Sequence, residues 1–150
     1  PIFTAFDNMD DAIEATVERA RSIFTEFMQK PYEKLSFMRI GLRWIDFART
    51  EPNLYKLLFV PSARGARLTT PLNVFMNFEG LTEKIVPIVA SEFGLSGDKA
   101  YRLYNQMIIH AHGMACILVS GQTDFTEQSI REIFSETVES LVGYYKKSEE

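Results

Sequence analysis

The residues best suited to metal or proton chemistry in this chain are its two histidines, His110 and His112, in the sequence HAH. Neighbours on one helix face are three or four residues apart, so an i, i+2 pair points to nearly opposite faces. Two such imidazoles cannot share a metal ion, and no Glu-x-x-His or His-x-x-x-His pair accompanies them. The spacing favours one histidine in the interior and one at an interface, and it predicts no metal site.

Three further features could carry chemistry, and each has a simpler explanation. Ser96-Gly-Asp-Lys99 matches the Ser-x-x-Lys tetrad of some acylating enzymes, but neither supporting motif of those enzymes is present and a serine before a helix is typically an N-cap. Cys116 lies among apolar neighbours, where a thiol behaves as a small hydrophobe. Arg64 and Arg67 fit a solvated loop better than a phosphate site. We therefore predict no catalytic residue, no cofactor and no enzyme activity.

Composition places the chain among ordinary globular domains. It has 150 residues, 46% of them hydrophobic and 24% charged, with a net charge of −4. The acidic balance argues against nucleic-acid binding by this stretch, because phosphate contacts need clustered Lys and Arg. No apolar run approaches the roughly 18 residues of a membrane span. The single cysteine cannot form an intramolecular disulfide, so we expect one domain in a reducing cytoplasm, with no membrane contact.

Apolar residues recur at three- and four-residue steps along most of the chain, which is the period of an α-helix. Asn8 and Ser96 are predicted N-caps, Pro31 ends the first helix, and Pro87 predicts a kink or break in the fourth. The fold class is therefore all-α, with about six helices at residues 8–29, 32–50, 53–59, 71–93, 96–120 and 126–146.

The helix at 96–120 has two apolar faces, one from Ala100 to Ile117 through Met107 and the other from Tyr101 to Val119 through Ala115. We expect one face to meet the protein's own core and the other to meet something else. The last helix carries a single apolar stripe, made of Ile130, Ile133, Phe134, Thr137, Val138 and Leu141.

Aromatic residues are unusually dense, with twelve Phe, six Tyr and one Trp. Most of them fit a core of large residues, but rings splayed between helices could also leave a cavity for an apolar or aromatic ligand. Composition alone does not separate these readings. The candidate ligand-binding residues are Phe37, Trp44, Phe47, Tyr55, Phe59, Phe75, Phe78, Tyr104, Met107, His110 and Met114, with Asn77, Tyr101, Tyr104, Asn105 and His110 as polar groups that could orient the ligand.

Three segments together resemble the TetR family of bacterial transcriptional regulators. Residues 34–59, KLSFMRIGLRWIDFARTEPNLYKLLF, contain an aromatic-Ala-x-x-x-Pro stretch (Phe47, Ala48, Pro52) followed by an aromatic-x-Leu-hydrophobic-Phe pattern (Tyr55 to Phe59). His112-Gly113 is similar to the His-Gly pair in the penultimate helix of one large subgroup. The opening PIFTAFDNMDDAI resembles the junction between the DNA-recognition helix and the helix that follows it.

The resemblance implies a domain layout. Residues 1–7 would be the remnant of a DNA-recognition helix and its turn, and residues 8–150 the ligand-binding and dimerisation domain. About forty residues of a helix-turn-helix domain would then precede Pro1 in the intact protein, through deletion, cleavage or disorder.

The same resemblance implies the function of an effector-sensing domain. A small apolar or aromatic ligand would change the operator DNA affinity of the helix-turn-helix. A repressor is favoured, but these residues do not decide between a repressor and an activator. The last two helices would form a four-helix bundle with a second subunit, giving a homodimer. Its interface residues would be Ile108, His112, Cys116, Val119, Ile130, Ile133, Phe134, Val138 and Leu141.

Two alternative functions, from other classes of protein, stay open. One is an all-α protein-interaction module whose apolar faces bind a partner and which has no small-molecule pocket. The other is a small helical enzyme, which would need polar groups converging on His110 or His112. Neither the identity of the effector nor the operator sequence can be read from these residues.

Overall fold

The computed structural model describes residues 7–60, 80–121, 123 and 125–147. Within these ranges the backbone forms helices and no strand, which confirms the all-α prediction. The predictions that fall on residues 1–6, on the loop at 62–70, on the start of a helix at Pro71, and on Phe75, Asn77 and Phe78 lie outside the described residues. The helices are α1 (Met9–Gln29), α2 (Phe37–Thr50), α3 (Pro52–Phe59), α4 (Leu81–Phe93), α5 (Gly97–Ser120) and α6 (Glu127–Lys147).

The helix starts show which predicted caps are used. The Asn8 side chain accepts the backbone N–H of Asp11 at 3.0 Å, as expected for an N-cap. Ser96 also lies at an N-cap position, but its side chain makes no capping hydrogen bond there. Its carbonyl oxygen accepts the N–H of Ala100 at 2.9 Å instead, which is the first bond of α5.

The second helix begins at Phe37 rather than at Tyr32, so the predicted start is wrong by more than one turn. Ser36 supplies the cap, its hydroxyl accepting the N–H of Arg39 at 3.3 Å. Residues before it are held differently: the Arg43 guanidinium lies 3.4 Å from the Tyr32 ring centroid. The same guanidinium donates hydrogen bonds to the carbonyls of Met28, Lys30 and Pro31. Arg43 thereby satisfies the backbone at the end of α1 and keeps Tyr32 out of α2.

Pro87 does not interrupt α4, so of the predicted kink or break the break is wrong, while the kink stays a prediction. The helix runs without interruption from Leu81 to Phe93 with Pro87 inside it. Pro87 is exposed, whereas Ile85 and Val89 on the opposite side are buried. The apolar face that anchors α4 is therefore free of the proline, and packing of that face offsets the missing backbone hydrogen bond.

The fifth helix is the centre of the domain. It contacts α2, α3, α4 and α6. Residues from both of its predicted apolar faces are buried within the chain itself, including Leu103, Met107, Ile108 and Ala115. The expected division into an inner face and an outer face is thus replaced by one broad buried arc, and a narrower stripe of α5 is left exposed.

Helices α2 and α6 approach closely at a glycine. A Cβ built on Gly41 of α2 would collide with Cζ of the Phe134 ring and lie 2.8 Å from its Cε1. Phe134 is only 1% exposed and has no room to retreat. Gly41 is therefore required for this crossing, although glycine inside a helix costs about 1 kcal/mol relative to alanine.

We expect Gly41→Ala to lower the free energy of unfolding by about 1–3 kcal/mol, the usual cost of overpacking a core. The gain in helix propensity, about 1 kcal/mol at most, does not offset the collision with the ring. Urea denaturation at fixed protein concentration measures the change. Gly143→Ala is the matched control, because a Cβ at Gly143 meets nothing within 4 Å. Equal stability of the two variants would contradict the steric role of Gly41.

Candidate functional site

The predicted aromatic ligand residues fall first into a packed aromatic cluster. The Phe24 ring of α1 meets Trp44, Phe47 and Phe59 in edge-to-face contacts, with centroids 5.1, 5.0 and 5.2 Å away. Such geometry suits the aromatic quadrupole and fills space between α1, α2 and α3. Phe47 and Phe59 line neither of the apolar cavities described below, so for these two rings the structure places core packing where a ligand contact was predicted.

A hydrogen-bonded chain crosses the same core. The indole N–H of Trp44 donates to the hydroxyl of Tyr55 at 3.1 Å. That hydroxyl lies 2.7 Å from Nδ1 of His112 on α5. Since an indole N–H can only donate, the Tyr55 oxygen accepts from Trp44 and its own hydrogen is available for Nδ1. The other ring nitrogen of His112, Nε2, lies 3.4 Å from Sγ of Cys116.

Burial sets the protonation of these groups. Tyr55 is fully buried, and desolvation raises the pKa of its phenol well above the usual value. Desolvation likewise lowers the pKa of His112 and raises the pKa of the Cys116 thiol. All three groups are therefore neutral near pH 7. A raised thiol pKa lowers the fraction of Cys116 present as the nucleophilic thiolate. The contact that this chain of groups makes is structural: it joins α2, α3 and α5.

A small apolar cavity lies between α2, α4, α5 and α6, and we call it the inner cavity. Its volume is about 30 Å³, which is room for a water molecule rather than for an effector. Four predicted ligand residues line it: Phe37, Trp44, Tyr104 and Met107. The rest of its lining is formed by Met28, Ile40, Gly41, Leu81, Ile85, Ile108, Ala111 and Phe134.

A larger groove opens beside the inner cavity, between α1, the start of α2 and α4, and we call it the outer groove. Its volume is about 150 Å³. Its wall is shared with the inner cavity at Met28, Ile40, Leu81 and Ile85, and the rest is formed by Phe24, Thr25, Gln29, Tyr32, Leu35, Lys84 and Ile88. A methionine among the shared residues matters, because its flexible thioether can change rotamer at low cost and join the two spaces.

Sequence reasoning missed every residue of the outer groove. Met28, Ile40 and Ile85 are ordinary apolar residues at helical spacing, and nothing in their types separates a groove wall from a core. The aromatic signal pointed instead to rings that pack on one another. Two other predicted ligand residues, His110 and Met114, line neither space.

Most predicted interface residues also lie inside the chain. Those buried in its own core are Ile108, Val119, Ile130, Phe134 and Val138. His112 and Cys116 are half-buried beside Tyr55, and Leu141 is half-buried on α6. Of the predicted set, Ile133 is the residue with a clearly exposed side chain, 37% accessible.

An exposed apolar stripe nevertheless runs along α5 and α6. On α5 it contains Ile109, 52% exposed, and Ile117, 44% exposed, with Gly113 between them. These positions are spaced at four residues and share one helix face. On α6 the stripe contains Ile133 and Tyr144, and together these five residues are called the exposed stripe below. A Cβ at Gly113 would meet nothing within 4 Å.

Polar groups border the exposed stripe and do not enter either cavity. His110 Nε2 lies 3.5 Å from the Thr137 hydroxyl, which joins α5 to α6. The Asn105 side-chain oxygen is buried and has no hydrogen-bond partner within the described part of the chain. Tyr101 is exposed. Their predicted role in orienting a ligand therefore has no support from their positions.

Within the described residues no group of three or more His, Cys, Asp or Glu side chains could hold a metal ion. None of the helices in the same residues is long and apolar enough to cross a bilayer.

A family model matches the chain: it is described as a tetracyclin repressor-like C-terminal domain and covers residues 37–141. No curated protein and no solved structure matches the chain.

We expect Tyr55→Phe to lower the free energy of unfolding by about 1–3 kcal/mol, because it deletes the hydroxyl that accepts from Trp44 and is hydrogen-bonded to His112 in a buried site. Chemical denaturation measures the loss. Tyr144→Phe removes the same atom from a side chain that is 66% exposed, and its effect should be near zero. A loss of equal size in both variants would refute the buried hydrogen-bond chain.

The histidines give the domain a pH dependence of known sign. Desolvation lowers the pKa of both His110 and His112 in the folded chain. The unfolded chain, with histidine pKa values near 6.5, takes up protons at a higher pH than the folded chain does. The free energy of unfolding therefore decreases as the pH falls below about 6.5, and the two histidines do not reduce it above that pH. Urea titrations between pH 5 and 7.5 measure the slope. The double variant His110→Gln, His112→Gln should give a shallower slope, because it lacks both histidines and keeps every carboxylate. Equal slopes for the variant and the native chain would show that the histidines do not cause the pH dependence.

Proposed function

The chain belongs to the family of tetracyclin repressor-like C-terminal domains, and on that basis we propose that it is the effector-sensing and dimerisation domain of a bacterial transcriptional regulator. In this proposal the regulator is a cytoplasmic repressor. A small apolar or aromatic effector binds this domain and lowers the affinity of an N-terminal helix-turn-helix for operator DNA.

The exposed stripe is the observation that supports dimerisation. It presents Ile109, Ile117, Ile133 and Tyr144 on two neighbouring helices, whereas scattered single apolar residues would need no explanation. Gly113 lies in the middle of the stripe with open space around it, and a glycine there allows a second helix to approach closely. Two copies related by a two-fold axis would bring α5 and α6 of each against the other, as a four-helix bundle.

The residues proposed for the interface therefore differ from those that the apolar pattern predicted. The stripe Ile130–Phe134–Val138 of α6 is occupied by the chain's own core. The face beside it, with Ile133 and Tyr144, is the one available to a partner.

The inner cavity and the outer groove support effector binding. Both are bounded by α1, which contributes Met28 to each, and α1 is the helix closest to the N-terminus of the described chain. A ligand that fits better when α1 is displaced would shift the protein toward that arrangement. The size of the shift is limited by the difference in the ligand's affinity for the two states.

The second candidate function is a protein-interaction module, favoured by the small volume of the inner cavity, about 30 Å³. In that case the exposed stripe would bind a different protein. Oligomeric state separates the two candidates, because a regulator of this family needs a second copy of the same chain and a module does not.

Light scattering over a concentration series should give a mass near twice 17.2 kDa. Ile109→Glu together with Ile117→Glu should raise the dimer dissociation constant about tenfold or more, because each places a charge at the centre of the apolar contact. Circular dichroism should show an unchanged helix content, since both side chains are exposed in a single chain.

Leu57→Glu is the matched control. Leu57 is 43% exposed on α3, outside the exposed stripe, and its replacement should leave the dimer intact. A native chain that stays monomeric at all concentrations would overturn the dimerisation proposal and leave the interaction module as the better reading. Equal weakening of the dimer by the Ile109→Glu, Ile117→Glu double variant and by Leu57→Glu would show that the interface is not at the exposed stripe.

A further inference from the structure

The rim of the outer groove differs in chemistry from its floor. The floor is apolar and includes Phe24, Met28, Ile40 and Ile85. Polar atoms enter the lining at the edge, from Thr25 and Gln29 on α1 and from Lys84 on α4. The groove therefore has an apolar interior and a polar edge on both of the helices that border it.

Lys84 carries the only full positive charge among the described residues that line the groove, and none of those residues is acidic. Its neighbour Glu83, at the start of α4, lines neither the outer groove nor the inner cavity; burial raises the pKa of the Tyr104 phenol, and the Glu83 carboxylate is near enough to raise that pKa further. Lys84 is exposed, so its ammonium group can reach over the groove mouth without losing its hydration.

We propose that the effector is an amphiphile with a monoanionic head group such as a carboxylate, its apolar part in the outer groove and its head at Lys84. This rests on the proposed effector-sensing function and adds the chemical class of the ligand. A purely apolar ligand would fill the floor and leave the cationic edge unused. A ligand that is charged or strongly polar along its length would have to bury those groups against the apolar floor, which is costly without further partners. One lysine at the edge matches one negative charge on the head group.

The volume limits the apolar part. The outer groove holds about 150 Å³, the size of a cavity that accepts a benzene ring. A rotamer change of Met28 would add the inner cavity of about 30 Å³, enough for little more than one methyl group. The ligand that fits best is thus a short-chain or single-ring acid, and a chain that reaches the inner cavity comes against Trp44.

Trp44 provides the readout, because it lines the inner cavity and is the only tryptophan in the chain. Hexanoate and hexan-1-ol are matched probes, with the same number of carbons and a different head. Titrations at low salt, followed by Trp44 fluorescence and by calorimetry, should show saturable binding of both. Hexanoate should bind about two- to fivefold more tightly, the amount that one exposed ion pair supplies. The preference should shrink in 0.5 M NaCl.

Lys84→Gln should remove the preference for hexanoate and leave the affinity for hexan-1-ol unchanged. Lys56→Gln is the matched control, because Lys56 is an exposed lysine on α3 that lines neither space, and it should behave like the native chain. Equal native affinities for the two probes, unaffected by Lys84→Gln, would overturn the anionic-head assignment while an apolar effector remained. Failure of both probes to bind the native chain would overturn the assignment and the effector-sensing function together.

Discussion

The hydroxyl of Tyr55 fixes the geometry on which the rest of the domain depends. It accepts a hydrogen bond from Trp44 of α2 and is hydrogen-bonded to His112 of α5, so one buried oxygen of α3 sets the positions of three helices relative to one another. No side chain in the described part of the chain that is fully charged at neutral pH is buried. In such an apolar core a polar group has few alternative partners, and a satisfied bond selects one arrangement of helices over others that bury the same area.

That arrangement determines where space is left over. With its N–H directed to Tyr55, the Trp44 indole turns an apolar surface toward Met107, Tyr104 and Phe37, and the inner cavity lies among them. Gly41 brings α6 close on one side, and Phe134 then closes the cavity from that direction. Met28 and Ile85 are shared between this cavity and the outer groove. A narrow apolar interior and a wider groove between α1 and α4 both follow from these contacts.

Helical periodicity was enough to predict the fold class and most element boundaries, because each helix buries its own apolar face. The start of α2 was missed because Arg43, the seventh residue of the helix, holds Tyr32 and the end of α1 by contacts that sequence spacing does not reveal. The hydrogen bond between Tyr55 and His112 joins residues 57 positions apart, so no local sequence pattern could predict it. For the groove the difficulty is different: a residue such as Ile85 has the same type whether it faces a neighbour or an opening.

The interface prediction shows why an apolar stripe cannot be assigned to a partner from sequence alone. A helix face that packs in the chain's own core is not available to a partner. On α6 the strongest apolar stripe, through Phe134 and Val138, packs in that core. What remains for a partner is the weaker stripe beside it, with Ile133 and Tyr144 set among polar residues. In the proposed dimer, close backbone approach at Gly113 would matter more than total apolar area. Because α5 carries both this stripe and part of the wall of the inner cavity, a shift of α5 caused by a bound ligand would reach the surface proposed for dimerisation.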